Sequence, residues 1–409
     1  MTQSLQAVTS CPYNLRHLRM FLAVVDTGSV TKAAQICHLS QPAVTQALAK
    51  MEHQADVELL RRTPQGLFAS PAGDALYLRI TRAFALIDPA LTEISPRLIR
   101  TATMAQLQAL VAVREMENFT LAARQLGLAQ PTIHRSITQL EREAGRPLFE
   151  RTAYGILATR EVQTLAQATR LAFAELAQAD ADLADITNRD AGRIVIGAMP
   201  LSRSYVLPNT IAAFRQMRPN LPIHVIEGPY NDLLAGLRRG DIDVLIGALR
   251  HPSPIADIEQ KPMFEDQLVL LCGANHPLAL CQEISAGHLA AYPWVVPPVD
   301  TPARIHFERL FADAGKAAPK RIIETSSFIL MRELLDRSEH LGCTSALQAE
   351  ADIARGLLKA LPLDMRFTAR PIGLTLRKDW LPTDAQRQFL AVLIDQTVPL
   401  QPKTVSKHE

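Results

Sequence analysis

The sequence predicts a multi-domain protein with two small helical domains of the same kind, a long linker helix and a larger two-lobed α/β domain. The first observation is a repeat: residues 29–63 resemble residues 118–152 at a constant offset, in which Gln130 lies 89 positions after Gln41. The second is an alanine-rich amphipathic pattern over residues 161–186. The third is an alternation of short apolar strands with helices in the last half of the chain. Two copies are too few for a stacked solenoid, so the repeat indicates one domain duplicated in tandem.

Composition limits the kinds of protein this can be. At 409 residues, with 48% apolar and 21% charged side chains, the chain resembles a globular protein with several domains. The net charge of +2 excludes a strongly basic DNA coat, so DNA binding would depend on local Arg and Lys. The five cysteines lack paired metal-ligand spacing, which predicts free thiols, no metal site and no cofactor. Without a signal-peptide pattern or an apolar run of ~18 residues, we expect a cytoplasmic protein with no membrane partner.

Each copy predicts two helices, a tight turn, a third helix and a small hairpin. In the second copy Asn118 suits the N-cap of the second helix, Gly127 stops that helix, and Pro131 lies in the first turn of the third. In the first copy Ser29 and Ser40 are the expected caps. The residues expected to be buried in the third helices are Val44, Leu48 and Met51 in the first copy and Ile133, Ile137 and Leu140 in the second.

This spacing leaves polar side chains free near the start of each third helix. Such a pair of short helices, the second carrying amides, hydroxyls and cations, is typical of a helix-turn-helix that binds double-stranded DNA. Amides pair with adenine, arginine with guanine, and hydroxyls with phosphates or bases. The candidate DNA-binding residues are Thr31, Gln41, Pro42, Thr45, Gln46, Lys50, Arg61 and Arg62 in the first copy, and Thr120, Gln130, Pro131, Thr132, His134, Arg135, Thr138 and Arg151 in the second.

An ordinary three-helix bundle with solvated polar faces is the alternative. The repetition of the same cap, glutamine and arginine positions favours DNA binding. Arg61, Arg62 and Arg151 lie in the predicted hairpins, whose basic tips suit phosphates or a neighbouring minor groove. His134 occupies a DNA-facing position, where a phosphate contact is favoured over proton sensing.

Motifs in both copies carry a family resemblance. The second copy contains Phe119-Thr120, Ala122-Ala123, Gln130-Pro131, Leu140-Glu141 and Leu148-Phe149-Glu150-Arg151. The first copy contains Ser29, Thr31, Ala33-Ala34, Ser40-Gln41-Pro42 and Glu52, with Leu59-Leu60-Arg61-Arg62 in place of the last motif. Together these resemble the winged helix-turn-helix of LysR-type transcriptional regulators, and the second copy departs from that pattern at Ala129 and His134. An ordinary family member would correspond to residues 102–400, so residues 14–91 would be an addition.

Helix-breaking residues and an apolar stripe on the long helix predict how the domains are connected. Pro89 and Ser95-Pro96 are expected to end a trailing helix and to mark a linker. The long helix carries one apolar stripe, formed by Leu165, Ala168, Leu171, Ala172, Leu176, Ala179 and Leu183. The helix either packs on its own domain or finds a partner helix, and its length favours a partner. In LysR-type regulators the equivalent helix mediates dimerisation, which implies a homodimer or homotetramer.

The remaining chain predicts a parallel sheet with covering helices. The expected strands are 193–200, 223–229 and 243–249, with helices at 209–217 and 232–239, crossover strands at 267–273 and 372–377, and second-lobe segments at 292–296 and 322–327. This region resembles the effector-binding domain of LysR-type regulators, which is related in fold to periplasmic binding proteins. Its sequence is similar to the subgroup that includes the galactose-binding-protein regulator and the protocatechuate regulator.

The predicted domain boundaries follow from these elements. The two winged helix-turn-helix units are 14–91 and 104–160, the linker is 92–103, the long helix is 161–188, and the effector domain is 192–400, with lobe I at 192–267 and 367–400 and lobe II at 268–366.

Loops beyond the strand ends are the expected ligand site, because ligands of open parallel sheets bind there. Hydroxyls and an arginine before a helix suit an anion, so the effector would be a small carboxylate or a sugar-like molecule. The candidate ligand residues are Pro200, Leu201, Ser202, Arg203, Ser204, Tyr230, Leu249, Arg250, Thr301 and Ser326. Simple helix capping is the alternative for each loop. Ser202 and Ser204 are favoured because the first loop of the family contacts its effector.

Catalytic motifs are missing: the sequence contains no G-x-S-x-G, P-loop, H-E-x-x-H or Cys-x-x-Cys pattern, so no enzyme is predicted. The resemblance implies a regulator whose effector closes a cleft and thereby changes the geometry of bound DNA, with RNA polymerase as a partner if the protein is an activator. One alternative makes the front copy an assembly module. A transport component with the same two-lobed fold is disfavoured by the lack of an export signal.

Overall fold

The computed structural model of the protein describes residues 13–152, 155–187, 189, 192–299 and 301–400. Residues 1–12, with Cys11, lie outside the described residues, as do Ala153-Tyr154 of the predicted second hairpin and the side chain of Arg151. Within the described residues Cys37, Cys272, Cys281 and Cys343 are free thiols.

The first helix-turn-helix unit has the predicted order of elements. It consists of α1 (Leu15–Thr27), α2 (Val30–Cys37), α3 (Gln41–Ala55), β1 (Leu60–Thr63) and β2 (Gly66–Ala69). The hydroxyls of Ser29 and Ser40 accept hydrogen bonds from the backbone N–H of Lys32 and Ala43, which confirms both predicted caps. The expected core positions Val44, Leu48 and Met51 are buried.

The second unit repeats this order. It consists of α6 (Met104–Met116), α7 (Phe119–Leu126), α8 (Gln130–Ala144), β3 (Phe149–Thr152) and β4 (Gly155–Ala158). The side chain of Asn118 caps α7, and Gly127 ends it in the left-handed conformation at φ 65°, as predicted. Ala129 precedes α8 without a side-chain cap. The expected core positions Ile133, Ile137 and Leu140 are buried.

The connection between the two units differs from the prediction. Helix α4 (Pro71–Ile94) continues through Pro89 into the predicted linker, and a short helix α5 (Leu98–Thr101) lies within that linker. An interior proline costs about 3 kcal/mol. Burial of one large apolar side chain contributes about 1.5–3 kcal/mol, and α4 buries Leu76, Ile80, Phe84, Ile87 and Leu91. Packing therefore outweighs the helix-breaking residue, and the predicted linker is a compact, partly helical segment.

The long helix α9 (Arg160–Ile186) was predicted within one residue of its bounds. Its apolar stripe packs against α4 of the same chain, and both helices belong to one hydrophobic core with the two helix-turn-helix units. The stripe thus has a partner helix, as expected, but that helix belongs to the same chain, and the expected pairing with a second subunit stays a prediction. Sequence periodicity identifies a stripe that needs a partner, but it does not distinguish a partner in the same chain from one in a second chain.

The predicted effector domain contains two five-stranded sheets. The strands of the first are β5 (Ile194–Ala198), β6 (Ile223–Glu227), β7 (Val244–Ala248), β8 (Ile258–Asp266) and β14 (Arg370–Arg377), and its helices are α10 (Pro200–Ser204), α11 (Val206–Met217), α12 (Tyr230–Arg239) and α17 (Asp384–Thr397). The strand order is β6-β5-β7-β14-β8, and β5 is parallel to β6 and β7.

The second sheet forms the other lobe. Its strands are β9 (Leu268–Gly273), β10 (Trp294–Val296), β11 (Ile322–Glu324), β12 (Leu341–Ser345) and β13 (Leu358–Ala360), and its helices are α13 (Ala286–Ala290), α14 (Pro302–Asp313), α15 (Phe328–Arg337) and α16 (Ala346–Ala354). The strand order is β11-β10-β12-β9-β13. The prediction that 292–296 and 322–327 contribute to the second lobe is confirmed.

The crossings between the sheets are shorter than predicted. Gln267 is the single residue between β8 and β9, and β9 lies wholly in the second sheet. The predicted crossover strand 372–377 is part of β14 in the first sheet, and the chain returns through 361–369. Strand β8 was not predicted. It is an edge strand that contains Pro262 and exposes most of its charged residues, which hides a strand pattern in the sequence.

Candidate nucleic-acid interface and effector cleft

The start of α3 presents polar side chains to solvent. Gln41, Pro42, Thr45, Gln46 and Lys50 are all exposed. This follows from helical spacing, because the apolar residues of α3 pack into the core on the other face. The Thr45 hydroxyl donates to the Gln41 carbonyl at 3.1 Å, while both glutamine side chains extend from the exposed face.

The start of α8 presents the equivalent surface. The exposed residues are Gln130, Pro131, Thr132, His134, Arg135 and Thr138. The His134 ring packs on Phe119 with ring centroids 5.3 Å apart, and its Nδ1 lies 3.4 Å from the Thr138 hydroxyl. These contacts fix the imidazole on the surface, where its other nitrogen faces away from Thr138.

Free cations accompany the two helix starts. Arg61 and Arg62 are exposed on β1 of the first hairpin. Within the described part of the chain, no ion pair involves Lys50, Arg61, Arg62 or Arg135. Many other exposed arginines of this protein are paired with carboxylates, as Arg309 is with Asp313. Unpaired cations beside exposed amides provide the charge that phosphate contacts need.

One glutamate in each unit fixes the hairpin relative to the exposed helix. The Glu52 carboxylate, on α3, accepts hydrogen bonds from the backbone N–H of Leu59 at 2.9 Å and of Leu60 at 3.1 Å. In the second unit Glu141 accepts the N–H of Leu148 at 2.9 Å. The helix start and the hairpin of each unit are therefore held as one surface.

The second helix of each unit adds to that surface. The predicted residues Thr31 and Thr120 are exposed in the first turns of α2 and α7. Two exposed cations on these helices, Lys32 and Arg124, were not predicted. Their exposure follows from the buried alanines beside them, so helical spacing in the sequence could have identified both.

In the effector domain, the first predicted loop forms the five-residue helix α10. Ser202 is completely buried and its hydroxyl donates to the Met199 carbonyl at 2.8 Å, and Leu201 is buried beside it. Arg203 forms an ion pair with Glu227. Pro200 is half-buried and Ser204 is exposed. The hydroxyl of the favoured Ser202 is thus used within its own turn, while Ser204 has an exposed side chain.

Tyr230 and Arg250 lie together at the ends of neighbouring segments of the first lobe. The Arg250 guanidinium stacks over the Tyr230 ring at 4.6 Å from its centroid, and Leu249 is buried next to it. The Tyr230 hydroxyl is buried and has no hydrogen-bond partner among the described residues. Burial raises the pKa of Tyr230, although the charge of Arg250 opposes this, and burial lowers the pKa of Arg250.

The residues at the crossing between the lobes were not predicted from the sequence. Arg370 Nη2 donates to Asp266 Oδ2 at 3.2 Å, whereas its Nη1 is buried without a partner among the described residues. Burial lowers the pKa of Arg370, opposed by Asp266, and the nearby charge of Arg250 lowers it further. Burial lowers the pKa of His306 in the second lobe, and the nearby charge of Arg370 lowers it further. The His306 Nδ1 also lacks a partner among the described residues. No sequence signal joins residues 104 positions apart.

Of the two second-lobe candidates, Thr301 caps a helix and Ser326 does not. The Thr301 hydroxyl accepts the Arg304 N–H at 3.2 Å and donates to the Pro298 carbonyl at 2.7 Å. Ser326 is exposed just before α15. A cavity of about 570 Å³ lies by the crossing and is lined by Asp266, Gln267 and Leu347 among others, but none of the predicted ligand residues lines it. The structure therefore brings Tyr230 and Arg250 into direct contact, with Leu249 beside Arg250.

Neither a metal site nor a membrane-spanning helix occurs among the described residues. The described residues contain no group of three or more His, Cys, Asp or Glu side chains that could hold a metal ion. No helix among them is long and apolar enough to cross a membrane.

Family models match most of the chain. The model described as "Bacterial regulatory helix-turn-helix protein, lysR family" matches twice, at residues 15–74 and 104–163. The model described as "LysR substrate binding domain" matches residues 187–397. The two helix-turn-helix matches are separated by the same offset as the sequence repeat.

Individual proteins show the same likeness. The chain is 33% identical over 388 residues to the HTH-type transcriptional regulator GalR of Pseudomonas putida, which covers 93% of this chain and 96% of that protein. It is 30% identical over 275 residues to the HTH-type transcriptional regulator YdcI of Escherichia coli, which covers 67% of this chain and 89% of that protein. The solved full-length LysG from Corynebacterium glutamicum, with bound effector Arg, shares the fold at 19% identity and a TM-score of 0.51, covering 73% of this chain and 99% of that one.

Proposed function

Because this chain belongs to the LysR family of transcriptional regulators, we propose that both of its helix-turn-helix units contact double-stranded DNA and that an anionic effector bound between the two lobes controls them. The observation that carries the DNA proposal is the pair of matched exposed surfaces. Gln41 and Gln130 occupy equivalent positions at the starts of α3 and α8, and unpaired cations lie beside both. A unit that served assembly alone would have no need for this surface.

The front unit is the part of the proposal that departs from an ordinary family member. Its Gln41, Gln46 and Lys50 are exposed, and Arg61 and Arg62 project from its hairpin. An amide at the start of a recognition helix suits an adenine edge, and cations on a hairpin suit phosphates. The alternative in which this unit is an assembly module places these five side chains in solvent without a role.

DNA binding can be tested with the full chain and the DNA upstream of its own gene, measured by fluorescence anisotropy. The proposal predicts a specific complex whose affinity falls steeply as salt concentration rises, because several phosphate contacts release counterions. A shuffled DNA of the same length is the control. Equal affinity for both DNAs, or no complex at low salt, would contradict the proposal.

The effector is an anion, such as a small carboxylate. Two cations lie at the lobe crossing, the half-buried Arg250 and the more deeply buried Arg370. Among the described residues only Arg370 has a carboxylate partner, Asp266. Unpartnered buried atoms of Tyr230, Arg370 and His306 add hydrogen-bonding groups there. Buried polar groups are normally satisfied, so this cluster fits a ligand with acceptor oxygens. A neutral sugar-like effector would leave the excess positive charge uncompensated.

Effector binding can be tested by thermal shift with matched panels of small carboxylic acids and neutral sugars. The proposal predicts stabilisation by one or more acids, because a ligand that binds only the folded state raises its stability. The variant Arg250→Gln would lose that stabilisation, whereas Arg238→Gln, an exposed arginine of the same lobe paired with Asp257, would keep it. Stabilisation by sugars alone would contradict an anionic effector.

The path from effector to DNA runs through contacts between the long helices and the first lobe. Arg79 on α4 donates to the Leu381 carbonyl at 2.8 Å, and Arg218 of the lobe donates to Asp185 on α9 at 2.8 Å. Closure of the lobes would move these anchor points and so alter the two reading surfaces. The proposed setting is the cytoplasm, in a homodimer or homotetramer, with RNA polymerase as a partner if the outcome is activation.

A further inference from the structure

The two long helices α4 and α9 are equivalent parts of the sequence repeat. Each follows the hairpin of its unit, and each buries the same face. The equivalent buried pairs, all separated by the repeat offset, are Leu76 and Leu165, Ile80 and Thr169, Ala83 and Ala172, Phe84 and Phe173, Ile87 and Leu176, Ala90 and Ala179, and Ile94 and Leu183. Like faces of homologous helices therefore pack against each other within one chain.

The ion pairs between these helices show that they run antiparallel. Arg79 donates to Glu175 at 2.9 Å, to Gln178 at 2.8 Å and to Asp182 at 2.7 Å. Arg82, further along α4, donates on α9 only to Glu175, the earliest of these three, at 3.0 Å among the described contacts. Two equivalent helices that pack antiparallel through the same face are related by an approximate two-fold axis.

The ends of the long helices repeat this reciprocity. Just after α9, Arg189 donates to the Ala55 carbonyl at 3.2 Å and lies 3.7 Å from Asp56, at the end of α3 in the first unit. Just after α4, Arg97 pairs with Glu143 at 2.8 Å, at the end of α8 in the second unit. Each long helix therefore ends beside the recognition helix of the other unit, as an exchange across a two-fold axis requires.

We propose that one chain is an internal dimer: its two helix-turn-helix units, related by this approximate two-fold axis, read two DNA half-sites in inverted orientation. This rests on the proposed DNA-binding function. A two-fold pair of recognition helices matches an inverted repeat. The apolar face of α9 is already covered by α4, so any oligomer of whole chains forms through other surfaces.

The two half-sites differ in sequence, because the reading residues differ at equivalent positions. Gln46 in α3 corresponds to Arg135 in α8, and Thr45 corresponds to His134. Glutamine pairs with adenine and arginine with guanine in the major groove. The operator of a single chain is therefore an imperfect palindrome. One half-site has an adenine at the position where the other half-site has a guanine.

Cross-linking tests the internal pairing in the full chain. Cys11, Cys37 and Cys281 are replaced by Ser, and a short bismaleimide is added to Arg189→Cys with Asp56→Cys, two exposed positions, or to Arg97→Cys with Glu143→Cys. The proposal predicts cross-linked chains of monomer mass on denaturing gels. Covalent dimers from the double variants, absent from the single variants, would overturn it, because the helices would then pair between chains.

Hydroxyl-radical footprinting tests the two half-sites. Gln46→Ala should lose protection in one half of the site and Arg135→Ala in the other, each with affinity reduced about ten-fold or more. Equal loss in both halves from each variant would overturn the inference while leaving DNA binding intact. If the unmodified chain protects no DNA, the proposed function fails with it, whatever mass the cross-linked chains have.

Discussion

The two helix-turn-helix units share their turn conformations and the hydrogen bond that holds the hairpin, but differ in their exposed side chains. Three turns adopt a left-handed conformation at equivalent positions, although the residue there changes: Gly28 and Glu117, His38 and Gly127, and Asp56 and Gly145. The glutamate that accepts the hairpin N–H groups is retained in both. At the DNA-facing position, however, Gln46 is replaced by Arg135. The fold of the unit depends on core and turns, so the reading surface is free to diverge.

The long helices show the same contrast at their junction. Arg79 on α4 is 1% exposed and pairs with Glu175 and Asp182, whereas the equivalent position on α9 is Ala168. The internal pair is therefore not symmetric: one polar network on one side fixes α4 against α9. An asymmetric contact of this kind specifies one arrangement of two otherwise similar helices.

The largest expected effect comes from removing that network. Arg79→Met should destabilise the packing of α4 on α9 by about 3 kcal/mol, because the half-buried Asp182 loses its cation and the buried Glu175 keeps only Arg82 of its two cations. Hydrogen exchange of peptides from both helices, followed by mass spectrometry, measures the local opening free energy. The control is Arg309→Met, which removes an exposed pair with Asp313 and should change little. Unchanged protection in Arg79→Met would show that the network does not hold the helices together.

The same variant has a predicted pH dependence. Burial raises the pKa of Asp182, and the hydrogen bond from Arg79 opposes this, so the pKa rises further in Arg79→Met. A carboxyl whose pKa is higher in the folded state than in the unfolded state costs stability above its folded pKa, and the cost disappears as the pH falls through that value. The deficit of Arg79→Met relative to the unmodified chain should therefore shrink as the pH is lowered from neutrality towards the ordinary pKa of an aspartate, about 4. A deficit that grows on acidification would contradict this.

The retained glutamates should give an intermediate effect that differs between the units. Glu52→Ala leaves two backbone N–H groups without their acceptor and Glu141→Ala leaves one. An unsatisfied buried donor costs about 1–3 kcal/mol, so Glu52→Ala should destabilise its unit more. Local hydrogen exchange at β1 and β3 measures both. A larger effect of Glu141→Ala would show that contacts other than these hydrogen bonds hold the first hairpin in place.

The smallest effects are expected at the helix starts. Ser40 caps α3, whereas Ala129 gives α8 no side-chain cap. Ser40→Ala should cost about 1 kcal/mol, and Ala129→Ser should stabilise α8 by a similar or smaller amount. Hydrogen exchange of the first-turn amides should become faster in α3 of Ser40→Ala and slower in α8 of Ala129→Ser. Destabilisation by Ala129→Ser would indicate that the α8 start is already satisfied by other contacts.

The sequence was sufficient for features with local causes. The caps at Ser40 and Asn118, the buried faces and the hairpins follow from spacing and residue type, and the repeat identified both units. Pro89 misled the prediction, because the packing of α4 outweighs a local helix breaker. The pairing of α4 with α9 depends on which partner covers a stripe, which periodicity does not contain.

The effector cleft was less predictable from sequence. The loops before helices were identified from hydroxyl-rich residues, but the Ser202 hydroxyl bonds to the Met199 carbonyl and Thr301 caps its helix. The cationic cluster of Arg250 and Arg370 instead forms where distant strands meet at the lobe crossing. Such a cluster depends on the register of β14 against β7 and β8, and no local pattern encodes that register.

The central claim is that both units read DNA, and matched double variants of the full chain test it most directly. Gln41→Ala with Gln46→Ala alters the front unit, Gln130→Ala with Arg135→Ala alters the second, and Glu93→Gln is an exposed control on α4. Affinity for the upstream DNA, measured by anisotropy at one fixed salt concentration, should fall about ten-fold or more in both double variants and remain unchanged in the control. Unchanged affinity in the front-unit variant, with loss in the second, would contradict the claim.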